Sequence, residues 1–404
     1  MLLGMGMLML GAGLQGTLLG LRATLEGFPT IVTGAVMSCY YIGYLGGSLA
    51  APRLVQRVGH IRVFAAFTSL ASVTILLQGV FVDPWLWGLL RAASGVFFAG
   101  IYIIAESWLN ARAVNRSRAS LLAVYMVVIY LGLGLGQFLL NLADPGTTRL
   151  FILSSVLISL ALVPTALSAQ PAQEFSVPRH IRLLELFDVS PLGVIGVLFA
   201  GAISGTLFSL GPLFAAGSGL DTGGVAAFMA ASILASVATQ FPVGRFSDRF
   251  DRRKVLVGVC LLSAGSAGAA LLLVDGPFVL FLFAAAVYGG LSLTIYSQSI
   301  SHINDHLHPS QMVAASSTLI IVNGVGSVIG PLLIAALMQW WSASAYFVGL
   351  AVLHLTMASY TLWRTRRRPP VPSAAKTSFV GVQPQAGPAG NLARSVDPLD
   401  PGKP

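Results

Sequence analysis

The sequence predicts an all-α, polytopic membrane protein with twelve transmembrane helices in two pseudo-symmetric six-helix bundles. Three observations predict it. The chain is 55% hydrophobic and only 9% charged, where a soluble domain carries about 25% charged residues. Twelve apolar runs, each near the roughly 20 residues that cross a bilayer, alternate with turn and charge clusters. Motifs from the first half recur in the second.

In chain order the spans are 2–24, 31–51, 63–81, 84–109, 119–140, 150–168, 191–214, 223–243, 254–273, 277–301, 311–338 and 343–363. The first lacks a basic leader segment and is as long as a full span, so it reads as a helix and not as a cleaved signal. Almost nothing precedes it, which leaves open a start further upstream. Gln15-Gly-Thr-Leu-Leu-Gly-Leu21 in span one recurs as Ser204-Gly-Thr-Leu-Phe-Ser-Leu210 in span seven. Gly132-x-x-x-Gly136 in span five recurs as Gly326-x-x-x-Gly330 in span eleven, followed there by Pro331. Small residues at this spacing let helices approach closely, so both pairs are expected at helix contacts. The expected units are an N-terminal bundle (1–168), a linker (169–190), a C-terminal bundle (191–365) and a disordered tail (366–404). Within the linker, Ile181, Leu183, Leu184, Leu186 and Phe187 mixed with charges suit a short surface helix.

Charge placement sets the expected orientation. Arg53, Arg57, Arg62, Arg112, Arg116, Arg118, Arg179, Arg182, Arg245, Arg249, Arg252, Arg253 and Lys254 all fall in even-numbered loops, and Arg364 to Arg368 follow the last span. Odd-numbered connections hold only Arg22 and Arg149 beside several carboxylates. Since Lys and Arg in short loops stay inside, both termini are expected in the cytoplasm and the chain in a bacterial-type inner membrane. The net charge of +9 is spread along one membrane face and forms no basic domain, so nucleic acid is not an expected partner.

Gly244-x-x-x-Asp248-Arg249-x-Asp251-Arg252-Arg253, between spans eight and nine, resembles a signature of the major facilitator superfamily, with Asp251 where a glycine is usual. Its first-half counterpart keeps Arg57 and Gly59 but has Gln56 in place of an aspartate. Arg91-x-x-x-Gly95 in span four is similar to the family's arginine motif. Glu106-Ser-Trp-Leu-Asn110 is similar to a stretch in an uncharacterised bacterial subgroup. The family's antiporter motif in span five departs here, with Gln137 where proline is usual. The resemblance implies the major facilitator fold, transport by alternating access, and a cavity lined by spans one, four, seven and ten. It marks Arg57, Gly59, Gly244, Asp248, Arg249, Asp251, Arg252 and Arg253 as a conformational latch. Such carboxylates and arginines can pair with each other and with a helix dipole only while that face is shut.

Ionisable groups inside a span are functional candidates by default. At 100° per residue, Gln15, Arg22 and Glu26 share a face of span one; Arg91, Gly95, Tyr102 and Glu106 share one of span four; Tyr288, Ser292, Ser299 and His302 share one of span ten. Arg91 is expected about 12 Å below the outer end of its helix, grouped with Arg22 and Glu26; Glu106, about 22 Å further along, is expected at the cytoplasmic mouth as a proton carrier. His302 and His306 with Asp305 have a metal-compatible spacing, but polar groups belong at such a helix end, and no metal or cofactor is expected. No nucleophile elbow, P-loop or His-Glu-x-x-His is present. Enzymatic and ATP-driven chemistry therefore lack their usual parts. The expected function is secondary active transport of a small anionic or polar solute, with a proton favoured as coupling ion and lipid as surroundings, by a monomer. The alternatives are a non-transporting membrane sensor, a lipid flippase and a drug/proton antiporter.

Overall fold

A computed structural model describes residues 1–112, 118–167 and 181–367, together with 371–372, 376–377, 379 and 381. The helices are α1 (Leu2–Leu25), α2 (Thr30–Val58), α3 (His60–Val80), α4 (Pro84–Arg112), α5 (Arg118–Phe138), α6 (Arg149–Leu160), α7 (Leu162–Ala166), α8 (Leu183–Val189), α9 (Pro191–Gly217), α10 (Thr222–Arg249), α11 (Arg252–Leu273), α12 (Phe278–Ser292), α13 (Ile295–Asn304), α14 (Pro309–Trp340) and α15 (Ala345–Thr365). Ten helical stretches among the described residues are long and apolar enough to cross a membrane, one of them α12 continued by α13. The other two spans are α2 and the shorter α6–α7 run. The 29-residue α2 is less apolar because it carries Tyr40, Tyr41, Tyr44 and several glycines.

The two bundles repeat one packing scheme. In the first, α1 packs on α5 and α6, α3 bridges α4 and α6, and α2 lies along α4. In the second, α9 packs on α14 and α15, α11 bridges α12 and α15, and α10 lies along α12. Apolar side chains bind no more tightly to each other than to lipid tails, so close backbone contact has to hold the helices. A Cβ on Gly132 or Gly136 would overlap α1 at Met9 or the Leu10 carbonyl; one on Gly326 or Gly330 would overlap α9 at the Leu198 or Ala202 carbonyl. Pro331 faces the other way, its carbonyl oxygen near Gly34 of α2.

Between bundles, α1 meets α9, α2 meets α14 and α5 meets α10. Many of the named contacts lie in the half of the molecule away from the N-terminus. Gly20 faces Pro212 and Leu213, and Gly34 faces Ala335. The Thr30 N–H donates to Gln339 Oε1 at 2.8 Å, and Ser38 Oγ donates to the Val328 carbonyl at 3.3 Å. In the other half, α5 and α10 flank a cavity of about 520 Å³ lined by Met126, Tyr130, Gln240, Gly244 and Arg245. This side also carries the α10–α11 corner.

Several local expectations meet a different outcome. The tail is expected to be disordered, yet Lys376, Thr377 and Phe379 are hydrogen-bonded to the α10–α11 corner. Trp87 is fully buried, its Nε1–H donates to the Phe81 carbonyl at 2.6 Å, and its ring packs on Phe28. Trp85, Trp340 and Trp341 are exposed near helix ends. In α8, Leu186 is buried while Leu183, Leu184 and Phe187 are exposed. Linker residues 168–180 lie outside the described residues, as does Arg116.

The glycine contacts predict an asymmetric tolerance. Gly326→Leu, whose side chain would enter the α9 backbone, should cost about 1–3 kcal/mol or more through overpacking. Gly258→Leu, on α11 with open space around it, should cost nothing measurable. The yield of monodisperse, lipid-reconstituted protein and its melting temperature check this, and equal behaviour of the two variants would refute the packing argument.

Candidate functional site

A small cavity of about 80 Å³ lies at the centre of the molecule, bounded by α1, α2, α4, α5, α9 and α10. Its geometry begins with glycine. On α4, Gly95 lies one turn from Arg91, and a Cβ there would overlap the Tyr40 carbonyl oxygen. On α2, Gly43 and Gly47 give the same freedom against Ala92 and Val96. The two backbones therefore touch, and Tyr40 comes to lie under Arg91, with the guanidinium carbon 4.6 Å from the ring centroid.

Arg91 is 7% exposed, its Nε has no hydrogen-bond partner, and it joins no ion pair among the described residues. The other polar groups of the cavity are engaged. Gln15 Nε2 donates to Gln78 Oε1 at 3.1 Å. Thr17 Oγ1 donates to Gln137 Oε1, while Gln137 Nε2 donates to the Gly13 and Leu133 carbonyls at 3.0 Å each. Tyr102 Oη reaches Met9 Sδ at 3.3 Å. Phe98, Phe208 and Ser209 complete the wall. A cation held by one aromatic face, among amides already committed to one another, is built to receive an anionic or strongly polar group.

The second polar constellation is the α10–α11 corner. Arg252, 2% exposed in its side chain, donates from Nε to Asp305 Oδ2 at 2.6 Å; Asp305 is equally buried. Arg252 Nη1 also reaches Asp248 Oδ1 at 3.2 Å and Ser247 Oγ at 3.0 Å. Asp251 caps α11 by accepting the Arg253 N–H at 3.0 Å and pairs with Arg253 Nη2 at 2.8 Å. Burial pushes the Asp251 carboxyl up, but its hydrogen bonds to Arg253 and the nearby positive charge outweigh burial and hold it below the usual carboxylate range.

Sequence comparison agrees with this architecture. The model of the Major Facilitator Superfamily matches residues 1–239 and 195–396. The chain belongs to the major facilitator superfamily. The uncharacterized MFS-type transporter YcaD of Escherichia fergusonii is 29% identical over 355 residues, covering 87% of this chain and 91% of that protein. An uncharacterized MFS-type transporter of Enterobacter sp. is 28% identical over 361 residues, covering 87% and 91%. Among solved structures, the nucleoside transporter NupG superposes with a TM-score of 0.73 over 90% of this chain and 98% of its own, at 14% identity. A bacterial homolog of the human lysosomal transporter Spinster gives 0.71 over 93% and 97%, also at 14%. This is a multi-pass membrane transporter and not an enzyme.

Within this major facilitator protein, the sequence-derived candidates separate into three places. Gln15, Arg91 and Tyr102 line the central cavity. Arg22 and Glu26 do not join Arg91: they pair with each other at 2.6 Å as i,i+4 neighbours at the end of α1, where Arg22 also donates to the Pro145 carbonyl. A rim site lets Glu26 stay partly hydrated, which a place beside Arg91 would not. Glu106 is not at an open mouth; it is 1% exposed and close enough to Tyr44 and Tyr125 to act on both electrostatically.

The span-ten face does not line the central cavity. Tyr288 packs on Phe347 and His354, Ser292 bonds to His354 Nε2 at 3.1 Å, and Ser299 donates to the Ile295 carbonyl beside Gly196 of α9. That face points into its own bundle, toward α9 and α15, and the break between α12 and α13 interrupts the helical phase. His302 belongs to a pocket at the α10–α11 corner, its ring 4.9 Å from that of His306. Among the described residues no group of three or more potential ligands gathers for a metal. Arg57, Arg249 and Asp248 are exposed, and Gly59 takes a positive φ of 88° between α2 and α3.

Sequence reasoning missed Tyr40, Tyr41, Thr17 and Gln137 as cavity elements, and Gln78 as the buried partner of Gln15. Their signal was available: an amide within an apolar run needs a partner there, and Gln78 and Gln137 both find theirs on α1.

The corner also yields a stability test. Arg252→Ala strands the buried Asp305 carboxylate and should destabilise the protein by about 3–5 kcal/mol, whereas Arg252→Met with Asp305→Leu should recover much of that loss. Melting temperatures of the purified variants check the recovery; a double variant no better than the single would refute a buried-charge origin.

Proposed function

We propose that this transporter is a secondary carrier that moves a small anionic or polar solute by alternating access, with Arg91 as the solute's electrostatic anchor. The observation that carries the reading is the buried Arg91 guanidinium, set in the central cavity over Tyr40 without a carboxylate partner. A charge at bilayer depth costs about 2.5–3.5 kcal/mol even on insertion scales, whereas a cation–π contact returns roughly 0.5–2 kcal/mol. The shortfall favours an occupant that brings negative charge or several hydrogen-bond acceptors. Tyr40, Phe98 and Tyr102 around it favour a planar solute.

The face bearing the N-terminus and the α10–α11 corner is assigned to the cytoplasm, because Arg53, Arg57, Arg62, Arg245 and Arg249 lie there. The bundles α1–α7 and α9–α15 then act as the moving halves, joined through the linker that holds α8. The contacts of Gly20, Gly34 and Thr30 support a shut outer side, and the gap between α5 and α10 supports an inner side not yet closed. Glu106 is the assigned proton carrier. It lies one turn beyond the cavity residue Tyr102, and a buried carboxyl can change charge as its access to water changes.

Proteoliposome counterflow with a panel of small carboxylates, acetate, pyruvate and benzoate among them, tests the reading and separates a carrier from a receptor that binds without exchange. Arg91→Gln should lower exchange about 10- to 100-fold, the worth of a charged hydrogen bond, with Arg91→Lys intermediate. Glu106→Gln should spare counterflow and abolish accumulation driven by a pH gradient. Wild-type exchange by Arg91→Gln would remove Arg91 from the mechanism.

A further inference from the structure

Beyond α15, the described residues Lys376, Thr377, Phe379 and Gly381 lie against the α10–α11 corner and along α10. Lys376 Nζ donates to the Phe250 carbonyl at 2.6 Å. The Thr377 N–H and hydroxyl both donate to Asp305 Oδ1, at 2.9 and 2.8 Å, and the Thr377 carbonyl accepts from Arg252 Nη2. The Phe379 N–H donates to Asp248 Oδ1 at 2.9 Å. The Phe379 ring lies so close to Gly244 that a Cβ there would overlap it, and Gly381 reaches Gln240. From Phe250 to Gln240 the path follows ten residues of α10, about 15 Å at 1.5 Å per residue. It ends inside the cavity between α5 and α10, whose wall includes both Phe379 and Gly381.

We propose that Lys376, Thr377, Phe379 and Gly381 form an intramolecular plug that wedges α5 from α10 and biases the transporter toward the state closed on the opposite face. Two features give the segment this action. The Phe379 ring fills space that α5 would need in order to close on α10, and Gly244 is the position that lets it in. The tail's backbone also occupies the acceptors of the corner: Asp248 holds the Phe379 amide, and Asp305 holds Thr377. The corner is thus satisfied while its face is open, so charge pairing there does not pull the bundles together. Closure of this face requires the plug to leave, and its binding competes directly with that closure.

The inference rests on the alternating-access reading, and its test needs no known solute. Leu213, 6% exposed against Gly20, is buried by the closed face. In a Cys39→Ala, Cys260→Ala background, Leu213→Cys is placed in lipid nanodiscs and its labelling by a hydrophilic maleimide is timed. The same is done for a chain ending at Arg368 and for full-length Phe379→Ala, which keeps the measurement decisive should the shortened chain fail to fold. Both variants should label several-fold faster than the full-length parent, because loss of the wedge populates the state in which Leu213 meets water. Equal, measurable rates in all three overturn the plug and leave alternating access standing. Slower labelling in the variants also overturns it, since the tail would then favour the opposite state. No labelling in any chain overturns the plug together with the two-state reading beneath it.

Discussion

Backbone contact between α2 and α4 is the constraint from which the central site follows. Gly43, Gly47 and Gly95 remove the side chains that would hold these helices apart. Only with the two main chains touching does the Tyr40 ring fall beneath Arg91. The same device joins α1 to α5 and α9 to α14, so each bundle is a rigid body wherever glycine lets backbone meet backbone. Rigidity of this kind suits two halves that swing as units, because tightly packed interfaces switch between discrete arrangements and do not deform gradually.

Within that frame, satisfied and unsatisfied polar groups divide structure from function. Gln78, Gln137, Ser154 and His354 all find partners across helix contacts, and each ties two spans of one bundle together. Arg91 does not. Of the buried polar atoms that line the central cavity, the Arg91 Nε is the one left without a partner among the described residues, so the cavity's unused binding capacity lies at the guanidinium over Tyr40. The departure at Gln137 fits the same division: where a proline would remove a backbone donor, the amide side chain adds a tether to α1 and a wall to the cavity.

Much of the architecture was legible in the sequence, because membrane physics leaves few options. Long apolar runs and the repeat of Gly132/Gly136 as Gly326/Gly330 were enough for twelve helices in two like halves. The site was legible only in part. Helical spacing placed Gln15, Arg91 and Tyr102 on faces that do meet the cavity, but periodicity reports which residues share a face and not where that face points. Span ten shows the limit: its polar stripe is real, yet it turns toward α9 and α15. Arg22 and Glu26 show another, since an i,i+4 pair at a helix end satisfies itself locally before any longer-range grouping is needed. The tail's docking could not be read at all, because its hydrogen bonds are made largely by backbone groups, which every residue carries.

The corner at α10–α11 carries two kinds of charge pair, and their burial decides which of them can switch. Arg252 and Asp305 are each 2% exposed in their side chains, so separating them would strand a charge at a cost of several kcal/mol. That pair joins α11 to α13 within one bundle and persists through any motion of the bundles. Asp248, at 42% exposure, exchanges partners cheaply, since water stabilises it between them. In this structure it accepts from the tail amide of Phe379; with that amide gone it is free to accept from a donor on the opposite bundle. A single run of charges thus separates physically into a fixed brace and one movable contact, and the movable contact is the one that the tail has taken.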